Sequence, residues 1–154
     1  MAHIHDLIDF VVSINVVYQD KVLMIDHKSL KRWLPIGGHV ELDEDPEQAV
    51  YREAKEESGL DIEIIGTKPD FASPGTKFLI TPAYMDIHDI PPGNHKHVGL
   101  VYFARAKTDQ VVLAPDEHHA IRWFSESDLN DPAYALSPSI IFFAKQAIQA
   151  AKMN

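Results

Sequence analysis

The chain contains no cysteine. That excludes disulfides and thiolate metal sites and fits a reducing compartment. No apolar run approaches the roughly 18 residues that a membrane-crossing helix needs. The opening segment, Met1-Ala2-His3-Ile4-His5-Asp6, lacks the basic start and apolar stretch of a secretory leader, so the expected location is cytoplasmic, without a membrane partner. Basic charge is scarce as well. The 14 Lys and Arg are outnumbered by 23 Asp and Glu, for a formal net charge of −9. A nucleic-acid backbone needs a basic surface, so nucleic acid is not an expected partner. Most acidity merely aids solubility. A carboxylate cluster is nonetheless how a protein holds a divalent cation, and that cation can then bind phosphates.

What is present describes an ordinary folded chain. The 154 residues are 45% apolar and 24% charged, enough for one core. No repeat, low-complexity tract or linker divides them, so a single domain over 1–154 is expected. Phe10 to Tyr18 (FVVSINVVY) reads as a strand, Gln19-Asp20 as a tight turn and Lys21 to Asp26 as the hairpin partner. Lys31 to Val40 carries Pro35, Gly37 and Gly38 and reads mostly as loop with short extended pieces. Asp61 to Ile65, Lys77 to Met85, Val98 to Ala106 and His119 to Phe124 are further expected strands. A C-terminal helix is expected from Ser137 to Lys152, with Ile140, Ile141, Ala144, Ala147 and Ile148 at helical spacing. The order suggests a mixed sheet between helices, an α/β class.

The best-specified element lies between these strands. Asp45 is an N-cap, Pro46 occupies N1, Gln48 at N3 completes a capping box, and Gly59 supplies the left-handed residue that ends many helices. Within it, Glu53, Glu56 and Glu57 stand at i, i+3 and i+4, so their carboxylates share one face. Like charges at that spacing cost a few tenths of a kcal/mol. A cation among them would offset the cost, and oxygen-only ligands favour a hard ion such as Mg²⁺ or Mn²⁺. Arg52 can pair with Glu56 at i+4, and its donors suit a carboxylate. Gly37-Gly38 can bring bare backbone close to a ligand, and Glu44 can fold back toward the same place. Acidic helix faces are common, so three glutamates alone would signify little.

Their spacing signifies more. From Gly38 the chain reads G-x5-E-x7-R-E-A-x-E-E-x-G-L, filled by Glu44, Arg52, Glu53, Ala54, Glu56, Glu57, Gly59 and Leu60. Chance would produce this at roughly one in a billion per start position. The pattern resembles the signature of the Nudix hydrolases, MutT-like enzymes. The preceding Trp33 to Glu41 and the later Arg122-Trp123-Phe124 extend the resemblance over most of the chain. It implies an α/β/α sandwich around a mixed β-sheet, with the motif as loop–helix–loop. It implies attack of water on phosphorus in a nucleoside diphosphate linked to another group, with Mg²⁺ as cofactor. Glu53, Glu56 and Glu57 then correspond to metal ligands, with Glu53 or Glu57 also acting on the water. The Gly38 carbonyl corresponds to a further ligand, Arg52 to an orienting partner of a motif glutamate, and Glu44 to a loop brace. The family often places another glutamate on the loop before the late strand, and Glu117 matches that position, with Asp116 as its rival.

Other residues carry less. His39 follows Gly38 and is a candidate for phosphate contact. Trp33, Phe71, Phe78, Tyr84 and Tyr102 are aromatic candidates for stacking a base, Trp33 foremost, although most aromatics belong to cores. The pairs His95, His97 and His118, His119 lack a third metal ligand at set spacing, and such pairs are usually surface or hydrogen-bonding histidines. The expected substrate is a small nucleotide, foremost a nucleoside triphosphate. ADP-ribose or a nucleotide sugar is the alternative, on the strength of Pro74. A non-catalytic nucleotide-sensing module is the rival of a different class. A homodimer is possible.

Overall fold

A computed structural model of the chain describes residues 6–153. Eight strands form one mixed sheet: β1 (Ile8–Tyr18), β2 (Lys21–His27), β3 (Arg32–Leu34), β4 (Ile36–His39), β5 (Ile62–Ile65), β6 (Tyr84–Ile90), β7 (His95–Ala106) and β8 (His118–Phe124). Among the described residues, three α-helices accompany them: α1 (Pro46–Ser58), a single turn α2 (Glu126–Leu129) and α3 (Pro138–Lys152), with a 3-10 turn at Pro132–Tyr134 between the last two. The centre is the parallel pair β1–β7, running from Ile8↔Lys96 to Val17↔Arg105. Each central strand has two antiparallel partners on its outer edge. β1 pairs β4 through Val11–Ile14 and β2 through Val17–Tyr18. β7 pairs β6 along its first half and β5 along its second.

Alternation along the strands sorts side chains into two cores. Val12, Ile14, Val16, Leu23, Ile25 and Ile36 pack with Ala49, Val50 and Ala54 of α1. Val17, Val22, Met24, Val101, Phe103 and Phe124 pack with Ala144, Ala147 and Ile148 of α3. Each fully buried aliphatic side chain contributes about 1.5–3 kcal/mol. The two helices therefore lie on opposite faces of the sheet, the α/β/α sandwich that the sequence implied. Ala54 is fully buried against the sheet, which explains a small residue at that slot.

The β1–β2 hairpin closes through Gln19 at φ 55, the positive φ that a two-residue hairpin loop requires. Three expectations need correction. The strand expected over Lys77 to Met85 is instead β6, starting at Tyr84. Pro82 has no N–H to give to a ladder, and the segment before it is tied to α1 and its cap, where Lys77 pairs with Asp45 and the Ile80 N–H donates to Glu47. β7 starts at His95 rather than Val98, because β1 and β6 flank its polar first residues and complete their ladders. Lys31 to Val40 is more ordered than a loop, with β3 and β4 paired to β2 and β1.

β4 delivers the backbone to the start of the glutamate helix. Gly37 holds φ 152, and a Cβ there would lie 2.0 Å from the Val12 carbonyl oxygen. Backbone cannot yield as a side-chain tip can, so Gly37→Ala is expected to cost about 3 kcal/mol or more. Chemical denaturation would show it as a lower midpoint, and an unchanged midpoint would contradict this packing.

Candidate functional site

The capping box forms as read. The Gln48 N–H donates to Asp45 Oδ1 at 3.0 Å, and the Asp45 N–H donates to Gln48 Oε1 at 2.8 Å. Gly59 closes the helix at φ 72. Between these ends, Glu53 and Glu57 lie on the buried side of α1, while Glu56 is exposed.

Arg52 organises the carboxylates. Its Nε and Nη2 donate to the two oxygens of Glu44 at 3.0 and 2.6 Å. Its Nη1 donates to Glu53 at 2.8 Å and Glu56 at 3.1 Å, and Nη2 also donates to the His39 carbonyl at 3.0 Å. The forked contact with Glu44 holds that carboxyl below its ordinary pKa. Glu44 in turn accepts the Glu41 N–H at 3.0 Å, bracing the loop before α1. The sequence paired Arg52 with Glu56 and gave Glu44 a bracing part. The structure shows both and adds Glu53.

Glu57 is the deepest member, 3% exposed. Its Oε2 accepts the Gly37 N–H at 2.8 Å, and its Oε1 lies 3.0 Å from Nε2 of His118. Burial pushes Glu57 up to about 8, against the pull of the Gly37 amide, and the charges of Glu53, Glu117 and Glu56 raise it further. Burial raises Glu53 as well, opposed by Arg52. Gly38 sits against Glu53, whose Oε1 is 2.3 Å from where a Cβ would be. Only glycine allows this approach of backbone to carboxylate.

Glu117 enters from the loop before β8. It is exposed, yet ligand atoms of Glu57, Glu117 and His118 lie within 4.8 Å of one another. Asp116 has no hydrogen bond or ion pair to this cluster among the described residues. His39 stands beside Gly38, but its ring points to the opposite face and reaches Asp9 at 3.4 Å. Trp33 is not brought to the glutamates either. It lies on the α3 side, edge-on to Phe124 at 5.0 Å and Tyr134 at 6.0 Å. Tyr102 is buried in the α1-side core, Tyr84 packs on Phe103, Phe142 and Phe143, and Phe71 and Phe78 pack on each other.

Sequence reasoning reads His118 and His119 together as surface or hydrogen-bonding histidines and does not foresee that His118 is fully buried beneath Glu57. Alternation would direct His119 inward, in step with Ile121 and Trp123. A bulge between Asp26 and His27 shifts the β2–β8 register by one, so His118 faces His27 and turns inward. Burial holds the His118 pKa below the ordinary histidine value.

A carboxylate array gathered around one glycine backbone and one guanidinium is suited to holding divalent cations, and the comparisons agree. The family model of the NUDIX domain matches residues 10–143; the chain belongs to the Nudix hydrolases, which act on nucleoside diphosphate derivatives and generally use a divalent metal. A hydrolase of the NUDIX family from Clostridium perfringens is similar in structure, with 33% identity, a TM-score of 0.81 and 93% of this chain against 97% of that one. A MutT NUDIX hydrolase from Burkholderia pseudomallei shares the fold at 24% identity and a TM-score of 0.67, covering 90% of this chain and 97% of that one. So does the E. coli dihydroneopterin triphosphate pyrophosphohydrolase, at 22% identity and 0.64, covering 91% and 92%. No curated protein matches the chain.

The raised Glu57 pKa has a stability consequence in metal-free protein. A carboxyl whose folded pKa exceeds its unfolded value of about 4.3 stabilises the fold below that value and loses this contribution as pH rises toward 8. The lowered His118 pKa acts oppositely, but only up to about 6.5, its unfolded value. From pH 6.5 to 8 the glutamate dominates. The melting temperature of metal-free protein should fall across this window, and Glu57→Gln should flatten the fall. A rising profile, or an equal slope in the variant, would count against a protonated Glu57.

Proposed function

We propose that the chain is a Mg²⁺-dependent pyrophosphohydrolase that cuts a phosphoanhydride bond in a nucleoside triphosphate. The observation that carries this reading is Glu57, a buried carboxyl tied to the Gly37 amide and His118 and crowded by other glutamates. No polyphosphate approaches such a surface until cations neutralise it. The donor set fits a hard divalent ion: Glu53, Glu56 and Glu57 supply oxygens, and the Gly38 backbone is kept against Glu53 by its missing side chain. Bound metal supplies neutralisation of phosphate charge and a lowered pKa for its water.

The chain's own residues do the rest. Arg52 fixes Glu53 and Glu56 and ties them to the loop through Glu44. His118 holds the Glu57 carboxyl in place from below. Glu117, exposed on the loop before β8 and close to Glu57, is the residue assigned to take a proton from the attacking water. His39, turned to Asp9, and Trp33, packed against Phe124 and Tyr134, lie on the sheet face opposite the glutamates and take no part in this site. Residues 1–154 form one cytoplasmic hydrolase domain in this reading, with a small nucleotide as partner rather than nucleic acid or membrane.

The residue favouring ADP-ribose, Pro74, has a local explanation. It precedes Gly75 at φ 73 in a turn closed by the Thr76 N–H to the Ser73 carbonyl at 3.0 Å, where proline and then glycine are the favoured pair.

The test is a Mg²⁺ assay over nucleoside triphosphates, oxidised nucleotides, ADP-ribose, nucleotide sugars and dinucleoside polyphosphates, with products identified. Turnover of a triphosphate, lost in excess chelator, is expected. Preference for ADP-ribose or a nucleotide sugar would replace the substrate assignment, and no turnover of any of them would favour a sensing module. Glu56→Gln and Glu57→Gln should each lower kcat by more than about a hundredfold with the fold intact, since glutamine keeps volume and helix propensity. Near-normal activity in either would remove its ligand role. Glu117→Gln should cause a comparable loss and Asp116→Asn none; the reverse pattern would reassign the base.

A further inference from the structure

The sheet face opposite the glutamates carries a second group of chemistry-bearing side chains. α3 covers one end of this face, through Val101 and Phe103. Toward the start of β1 and β7 the same face carries Asp9, His95 and His97, flanked by His39 on β4 and by Asp86 and His88 on β6. Asp9 and His97 are direct partners in the parallel ladder. His95 lies two residues earlier in the same strand, on the same face. The sequence offered this histidine pair no third ligand; the β1–β7 pairing supplies it from nearly ninety residues away.

We propose that Asp9, His95 and His97 form a site for one divalent transition metal of the zinc type, separate from the glutamate cluster. One ligand atom from each lies within 4.8 Å of the other two. Asp9 Oδ2 is 3.1 Å from His95 Nε2. Ligand atoms around a tetrahedral zinc ion stand about 3.3 Å apart at the usual bond lengths, so this pair is already at chelating separation, and His97 closes by a side-chain movement. All three ligands spring from adjacent central strands, a rigid base for a metal site. They are partly exposed, Asp9 at 44% and His95 at 30% of the side chain, which gives an ion a path in.

The donor set selects the ion. Two imidazoles with one carboxylate suit zinc and its neighbours, whereas Mg²⁺ prefers all-oxygen coordination. A three-ligand set leaves a position for water or for a fourth side chain. His39 is the nearest such side chain, with Nε2 3.4 Å from Asp9 Oδ2 and its ring 4.9 Å from that of His97. Without a cation, the rings of His39, His88 and His95 gather around that of His97, with centroids 4.9, 5.6 and 5.2 Å away. Protonation of all of them would set like charges together, whereas one bound ion uses them as neutral donors. An ion here clamps the start of β1 to that of β7. Through His39 it also reaches the strand that carries Gly37 and Gly38.

The test is a Co²⁺ titration of the full chain in excess Mg²⁺, which keeps the glutamate cluster occupied, followed by displacement with Zn²⁺. We expect one equivalent of Co²⁺ with tetrahedral visible absorption, displaced by Zn²⁺. His95→Gln, His97→Gln and Asp9→Asn should each weaken binding by about tenfold or more. Glu57→Gln should bind normally, and so should His3→Ala with His5→Ala, whose positions lie outside the described residues. On the unaltered chain, one equivalent of Zn²⁺ should shift the imidazole nuclear magnetic resonances of His95 and His97 and leave that of exposed His119 unmoved, a readout independent of whether a variant folds. The proposal is overturned if the chain takes up no Co²⁺ beyond what Mg²⁺ displaces. It is also overturned if the triad variants keep the metal, or if the His3, His5 variant loses it.

Discussion

The constraint on which the site depends is the repulsion among carboxylates held at the edge of a hydrophobic core. Glu53 and Glu57 share the inward side of α1 with Val50 and Ala54, and the helix cannot bury the apolar pair without drawing the glutamates in. Desolvation disfavours their charged forms, and the neighbouring charges of Glu56 and Glu117 add to it. Arg52 relieves part of this by spanning Glu44, Glu53 and Glu56. It does not reach Glu57, which is left with one backbone amide and one histidine. The fold supplies the rest of the stability that this arrangement costs, through the two cores on either face of the sheet.

Much of this was legible in the sequence because it is local. Asp45, Pro46, Gln48 and Gly59 mark both ends of α1, and once those ends are fixed the spacing of Glu53, Glu56 and Glu57 places them on one face. The hairpin of β1 and β2 and the apolar part of β7 follow from runs of β-branched residues in the same way. What escaped is what depends on pairing between distant segments. The polar start of β7, His95-Lys96-His97, has no apolar signature and is a strand only because β1 and β6 flank it. His118 faces inward because of a bulge against β2, and no alternation rule within β8 reports a bulge. The β6 ladder begins seven residues later than composition suggested, since Lys77 and Ile80 are tied to α1 and its cap instead. Trp33 looked available because a sequence does not reveal that Phe124 and Tyr134 will surround it.

The two faces of the sheet divide the chemistry. Next to α1, oxygen donors converge on Gly37 and Gly38; on the other face, imidazoles converge on Asp9. β4 links them, because alternation turns Gly38 toward Glu53 and His39 toward Asp9. The hardness of the donors differs accordingly, and so does the ion each group suits.

The central claim is that Glu57 keeps a proton in metal-free protein that a divalent cation must displace. Calorimetric titration with Mg²⁺ at pH 7, repeated in buffers of different ionisation enthalpy, counts that proton directly. With Glu57 raised to about 8, the account predicts release approaching one proton per site filled, and close to none from Glu57→Gln. Mg²⁺ binding without proton release, or release that persists in the variant, would contradict it.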